Sequence, residues 1–355
     1  MAEEAIDYPF EQIGNDGSVH EVMPGIFWIC MPLPFALNHI NLWVLKDGDG
    51  WSVVDTGLGV PEVQELWRKA FDRILDGKPL KRIFVTHFHP DHLGQAGWMA
   101  EEYGAEMWIT RDEWLMGRLL AMDTSDATIA NTAEYFRKAD VEPPYIEELQ
   151  DRGADYNKMV TPIPRRFQRM LGGDKIMIDG REWEVIIGLG HAPEHACLYC
   201  DELKVMCSGD QILPRITPII GVSPMEPDGN PLQLFIDTLG NFRHLAHDTL
   251  VLPAHGLPFR GLHARLDYMR DHHRERLITL LSAAREPMTA RQGVDVLFRR
   301  KLDAQEIRLA TMETLSHANM LIERGNMRRT EREDGVWLYQ TTESGHALIA
   351  AAAAE

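Results

Sequence analysis

Thr86-His87-Phe88-His89-Pro90-Asp91-His92 follows directly on the apolar run Arg82-Ile83-Phe84-Val85. A hydrophobic core gains little from adjacent titratable side chains, whereas neutral imidazole and carboxylate are good ligands for zinc and similar divalent ions. An apolar strand ending in a ligand-bearing loop also holds such groups rigidly. Side chains alternate in an extended stretch, so His87 and His89 point the same way and can grip one ion. Asp91 and His92 follow a proline, where the chain turns into a helical stretch expected over 93–103, and are placed to serve a second ion.

Further candidate ligands arrive singly, each after an apolar run. Trp183-Glu184-Val185-Ile186-Ile187 leads to His191 and His195, Lys204-Val205-Met206-Cys207 to Asp210, and Thr249-Leu250-Val251-Leu252 to His255. Each lies near Gly or Pro, where backbone bends tightly. One such residue reads as a cap; three together support one another as ligands.

On these residues the chain resembles the metallo-β-lactamase-fold superfamily over roughly residues 20–260. The H-x-H-x-D-H signature is His87, His89, Asp91 and His92, followed in order by His191, Asp210 and His255. Val54-Asp55-Thr56-Gly57 matches the first motif, whose Asp55 is implied to support the metal site from behind the ligands. The set looks most like glyoxalase II and its relatives. That resemblance implies His87, His89 and His191 on one metal, Asp91, His92 and His255 on the other, and Asp210 between them. It also implies a four-layer αββα sandwich. His195 reads either as a support behind the ligands or as a residue on the substrate side.

Two divalent ions about 3.5–4 Å apart can share a water and lower its pKa to about 7, which favours hydrolysis. Zinc is the expected metal, with iron or manganese compatible with mixed nitrogen and oxygen ligands. A histidine at position 89, rather than glutamate, argues against the flavin-linked diiron members. Asp91 is the expected catalytic residue, holding metal and orienting the nucleophile or carrying a proton to the leaving group.

At 355 residues the chain is long enough for one large and one small domain. It has no apolar stretch long enough to span a membrane. Its start, Met1-Ala2-Glu3-Glu4-Ala5-Ile6-Asp7, lacks the features of a secretory signal. The four cysteines, Cys30, Cys197, Cys200 and Cys207, read as reduced, buried thiols of a cytoplasmic protein. Residues 274–343 carry 12 Lys or Arg against 11 Asp or Glu, a balance of +1, so of the chain's net −18 the remainder carries −19. Such an acidic catalytic region offers no broad footprint for nucleic acid.

The expected catalytic domain is 1–272, opening with strands at 26–29, 40–45 and 51–54 and a helix from Pro61 to about Leu75. A helical insertion at about 111–174 has helix-like stretches at 113–122, 127–138 and 146–153. It could cap the metals, with Arg165 or Arg166 clamping a substrate carboxylate or phosphate. The apolar loop 31–37, which includes Phe35, is a second candidate for the substrate side. Residues 273–345 read as helix, helix, helix and hairpin, which resembles a winged helix, followed by a tail at 346–355. Arg324, Arg328, Arg329 and Arg332 alternate there with acidic residues, which favours packing, homodimerisation or pocket closure over nucleic-acid binding.

The function expected is therefore dinuclear metal-dependent hydrolysis of a small-molecule thioester, lactone, ester or lactam, with a glyoxalase II-like thioesterase preferred. A metal-dependent ribonuclease or phosphodiesterase is the alternative, and a DNA-binding regulator with a sensing metal domain is a third reading.

Overall fold

The computed structural model describes residues 6–34 and 37–354. Its compact units are discontinuous in sequence: Met1–Asp123, Asp155–Pro218 and Thr238–Leu266 form the first, and Thr124–Ala154, Ile219–Asp237 and Asp267–Glu355 the second.

The first unit contains a seven-stranded sheet in sequential order: β1 (Val19–Met23), β2 (Ile26–Pro32), β3 (His39–Asp47), β4 (Gly50–Val54), β5 (Leu80–Phe84), β6 (Glu106–Ile109) and β7 (Gln168–Arg169). Hairpins keep β1–β4 antiparallel, and β4, β5, β6 and β7 pair in parallel. A second sheet, ordered β12-β11-β10-β9-β8, comprises β8 (Lys175–Ile178), β9 (Arg181–Gly188), β10 (His195–Cys200), β11 (Val205–Gly209) and β12 (Leu250–Pro253).

Strand alternation gives the first sheet two apolar faces. Ile40, Leu42 and Val44 of β3 join Val63, Trp67, Ala70 and Phe71 of helix α1 (Pro61–Ile74) in one core. Trp43 and Leu45 join Trp28, Val185, Leu198 and Val205 in the other, which lies between the sheets. Pro61 opens α1 at a position where its missing N–H costs nothing.

The helical stretch expected after Pro90 divides into a short α2 (Pro90–Leu93) and α3 (Ala96–Tyr103). Close packing explains the break: a Cβ on Gly94 would stand 2.4 Å from the Gly59 nitrogen, and Gln95 N–H donates to Thr56 Oγ1 at 3.0 Å.

The insertion differs from expectation in its allegiance. Helix α4 (Arg111–Met122) belongs to the first unit, whereas α5 (Asp126–Lys138) and α6 (Pro143–Arg152) belong to the second. There Tyr135 Oη donates to Val222 O at 2.9 Å, and Arg291 reaches Glu142 at 3.0 Å. Helical periodicity marks an apolar face without saying which core receives it.

The remainder of the second unit includes α7 (Pro231–Thr238), α8 (Leu262–Ala283, from Asp267 on), α9 (Ala290–Leu297) and α10 (Ala304–Glu323), with a sheet ordered β13-β15-β14. Its strands are β13 (Met288–Thr289), β14 (Met327–Glu331) and β15 (Trp337–Thr341). Thr289 caps α9 in a reciprocal capping box with Gln292. The expected tail is largely helical, as α11 (Glu343–Ala352). Among the described residues no helix is long and apolar enough to cross a membrane.

Candidate metal centre

All seven candidate ligands lie in the first unit, on the segments that follow strands, with Asp91 and His92 in the short helix α2. Asp55 follows β4, His87–His92 follow β5, His191 follows β9, Asp210 follows β11 and His255 follows β12. The Ala196 N–H donates to Thr86 O at 2.9 Å, joining the two sheets at this end.

The side chains collect into two groups: His87, His89, His191 and Asp210, and Asp91, His92 and His255. In the first, His87 Nε2 is 2.8 Å from His89 Nδ1 and 3.2 Å from His191 Nε2. In the second, Asp91 Oδ2 is 3.5 Å from His255 Nε2 and 3.7 Å from His92 Nε2. Asp210 faces both groups: Oδ2 is 3.5 Å from His191 Nε2, while Oδ1 is 3.4 Å from His255 Nε2 and 3.6 Å from His92 Nε2.

These spacings fit a shared cation. Metal–nitrogen bonds of about 2.0–2.1 Å in a tetrahedral site put neighbouring ligand atoms about 3.3 Å apart. His92 Nε2 and Asp210 Oδ1 are buried without a hydrogen-bond partner among the described residues. Buried polar atoms left in that state cost free energy, which a cation here would relieve.

Partners behind the ligands fix their tautomers. His92 Nδ1 donates to Asp55 Oδ2 at 2.8 Å, and His255 Nδ1 to the His39 carbonyl at 2.8 Å, leaving both Nε2 atoms free to ligate. Thr86 Oγ1 stands 3.0 Å from His87 Nδ1 and donates to Asp55 Oδ2 at 2.8 Å. Asp55 adopts the left-handed conformation, with φ of 60°, a strained choice for a non-glycine residue. Its Oδ1 accepts the Thr86 N–H at 2.8 Å.

Electrostatics agree with a crowded ligand set. Burial pulls the His92 imidazole pKa down, but the carboxylates of Asp55, Asp91 and Asp210 hold it well above its ordinary value. Burial likewise opposes the charge of His255, and Asp210 and Asp91 still raise it to about 10. His89 moves the other way, to about 3, because it is buried and beside His191. A divalent cation would neutralise the converging carboxylates and take the place of the extra protons.

His195 is fully buried behind the ligand groups. Its Nε2 accepts the Asp210 N–H at 3.1 Å, its Nδ1 lies 3.7 Å from Cys197 Sγ, and its ring stacks on His87. Gly209 makes this possible: its φ is +50°, and a Cβ there would come within 2.5 Å of His195 Nε2.

Arg165 and Arg166 are exposed and form no ion pair among the described residues. Phe35 lies outside the described residues. The four cysteines are buried and unbonded to one another.

Sequence reading passed over Glu113. Thr110-Arg111-Asp112-Glu113 has the spacing of a capping box, which would keep Thr110 and Glu113 busy at their own helix end. Thr110 makes no such cap; its Oγ1 donates to Glu194 O at 2.9 Å. Glu113 instead accepts the N–H of Phe88 at 2.9 Å and of Glu194 at 2.6 Å. Burial pushes the Glu113 carboxyl up to about 8, against the pull of those two donors.

Comparison with known proteins agrees with this geometry. The Metallo-beta-lactamase superfamily profile matches residues 37–255, and a Metallo-beta-lactamase-like C-terminal domain profile matches 277–342. The chain belongs to the metallo-beta-lactamase superfamily. A solved beta-lactamase domain protein from Burkholderia ambifaria is 38% identical, with a TM-score of 0.90, covering 96% of this chain and 99% of that one. A metallo-beta-lactamase family protein from Thermus thermophilus is 26% identical, with a TM-score of 0.76 over 91% of this chain and 100% of that one. The human acyl-coenzyme A thioesterase MBLAC2 is 26% identical over 210 residues, which are 53% of this chain and 63% of that protein. The match thus spans less than two thirds of the human relative's length.

Proposed function

We propose that this protein is a dinuclear metal-dependent hydrolase acting on a small-molecule thioester. The observation that carries the reading is Asp210, whose two oxygens each face a different ligand group. His87, His89 and His191 would hold one divalent ion, Asp91, His92 and His255 the other, and Asp210 both, as in the glyoxalase II-like set. Zinc suits these nitrogen and oxygen donors, as do iron and manganese. When bound, such a pair supplies Lewis acidity and a water made nucleophilic near neutral pH.

The chain's own residues supply position and proton handling. Asp55 and the His39 carbonyl hold His92 and His255 with Nε2 turned inward, and His195 holds the Asp210 backbone. Asp91 is the proposed catalytic carboxylate, orienting the nucleophile and passing a proton toward the departing group. Arg165 and Arg166 are exposed cations available to an anionic substrate. The thioester preference draws on the name of the human relative, an acyl-coenzyme A thioesterase.

The second unit's order of helix, strand, two helices and two strands supports reading it as winged-helix-like. Its arginines are committed to neighbours of the same unit: Arg324 to Gln233, Arg328 to Gln340, Arg329 to Asp228 and Arg332 to Asp334, all within 2.6–2.8 Å. That favours packing or homodimerisation over phosphate binding. The buried thiols suit the cytoplasm.

The test is a hydrolysis panel of thioesters, lactones, lactams, esters and phosphodiesters, run on zinc-, iron- and manganese-loaded protein. Thioester cleavage abolished by chelation and restored by metal is expected. Activity that survives complete chelation rejects the mechanism, and a preference for phosphodiesters rejects the substrate class.

A further inference from the structure

We propose that the first turn of α4 is a clamp on two histidine-bearing loops, in which Glu113, aided by Tyr156, is a positioning residue that sets the divalent-cation affinity of the His87–His89–His191 group. The inference rests on the metal reading above.

Glu194 is held at three points. Its carbonyl accepts from Thr110 Oγ1 at 2.9 Å, its N–H donates to Glu113 Oε1 at 2.6 Å, and its carboxylate accepts the Asp112 N–H at 3.2 Å. That last contact puts a carboxylate where helix N–H groups lack partners and the helix dipole is positive. Glu194 lies three residues after His191 and directly before His195, so the clamp fixes the loop carrying both.

The other oxygen of Glu113 reaches the opposite loop. Oε2 accepts the N–H of Phe88, the residue between His87 and His89, and the Phe88 carbonyl accepts from Tyr156 Oη. Both polar groups of the backbone at Phe88 are therefore gripped by side chains. Gly117, one turn beyond Glu113, leaves the room for this: a Cβ there would stand 2.7 Å from Leu93 Cδ2 and 3.2 Å from Tyr156 Oη.

One fully buried carboxylate thus ties together loops that are about a hundred residues apart in sequence. Burying a carboxylate is costly, and an apolar side chain would fill the same space without that cost. What the carboxylate adds is fixed spacing between His87 and His89 on one side and His191 on the other. The hydrogen bonds of Glu113 and Tyr156 go to Phe88 and Glu194 and to none of Asp91, His92 and His255, although Tyr156 lies near enough to Asp91 to feel its charge, so their effect should fall chiefly on the one group.

Zn2+ titration of metal-stripped protein, followed through the imidazole 15N resonances of the individual histidines, reads each group separately. In Glu113→Gln one of the two backbone N–H groups meets an amide nitrogen that cannot accept it. Affinity at His87, His89 and His191 should fall about 10- to 100-fold, the range for loss of a partner behind a ligand, while His92 and His255 change by less than about threefold. Tyr156→Phe, which removes a single hydroxyl, should weaken the same group by a smaller factor; it decides alone if Glu113→Gln fails to fold. Equal weakening of both groups, or no change in either, overturns the inference and leaves the metal reading intact. A wild type that takes no zinc overturns the metal reading, and the clamp's role with it.

Discussion

The imidazole of His195 accepts the backbone N–H of Asp210 at 3.1 Å, so the carboxylate facing both ligand groups is held through its own main chain. Removing that acceptor leaves a buried N–H unpaired, at a cost of about 1–3 kcal/mol. His195→Phe keeps a flat ring against His87 but cannot accept. Zinc affinity is expected to drop about 10-fold or more with the fold retained, as checked by calorimetric titration beside a thermal melt. Unaltered zinc binding would contradict this role.

Asp210→Ala removes the carboxylate common to both groups. The wild type should hold two metal ions per chain under the proposed function, and the variant one, with activity reduced at least about 100-fold. Elemental analysis after gel filtration gives the stoichiometry. Two tightly held ions in the variant would show that Asp210 is not shared.

Arg165→Ala and Arg166→Ala test the two exposed cations. If either clamps an anionic substrate, KM should rise several-fold for charged thioesters, stay constant for neutral ones, and leave kcat nearly unchanged. Identical kinetics with both variants would remove these arginines from the site.

In the second unit, pH dependence follows from a buried histidine pair. His273 Nδ1 is 3.2 Å from His317 Nε2. Burial, with each ring's charged or imidazole neighbours adding to it, lowers His273 to about 2 and His317 to about 3. Folded-state values below the unfolded one mean that the stabilisation is complete above about pH 6.5 and is lost as pH falls toward 3, by about 1.4 kcal/mol per pH unit for each titrating group. Glu313, raised by burial to about 7, acts in the opposite sense: its contribution is present at low pH and lost as pH rises through 7. The contribution of these three groups to the acid slope between about pH 6.5 and 4.5 is therefore that of one proton, steepening below. His317→Gln should flatten it, so the thermal-melt difference between variant and wild type must change with pH. A constant difference across that range rejects the assignment.

Much of the centre was legible because ligand chemistry is local. His87, His89, Asp91 and His92 announce themselves within six positions, and β5 before them ends on the buried apolar pair Ile83 and Phe84. His191, Asp210 and His255 each follow a strand, where a side chain can be held rigidly. The boundaries of α5 were also close, Asp126–Lys138 against an expected 127–138.

The sequence by itself determined which residues are capable ligands, the strands that carry them and the metallo-beta-lactamase pattern. Only the tertiary structure decided that Glu113 leaves its helix end for Phe88 and Glu194, that His195 supports Asp210, and that α5 and α6 join the second unit. The physical reason is that intrinsic donor capacity and backbone periodicity are properties of a few neighbouring residues. The partner of a buried carboxylate or of an apolar helix face is chosen by whichever distant segment the fold brings against it.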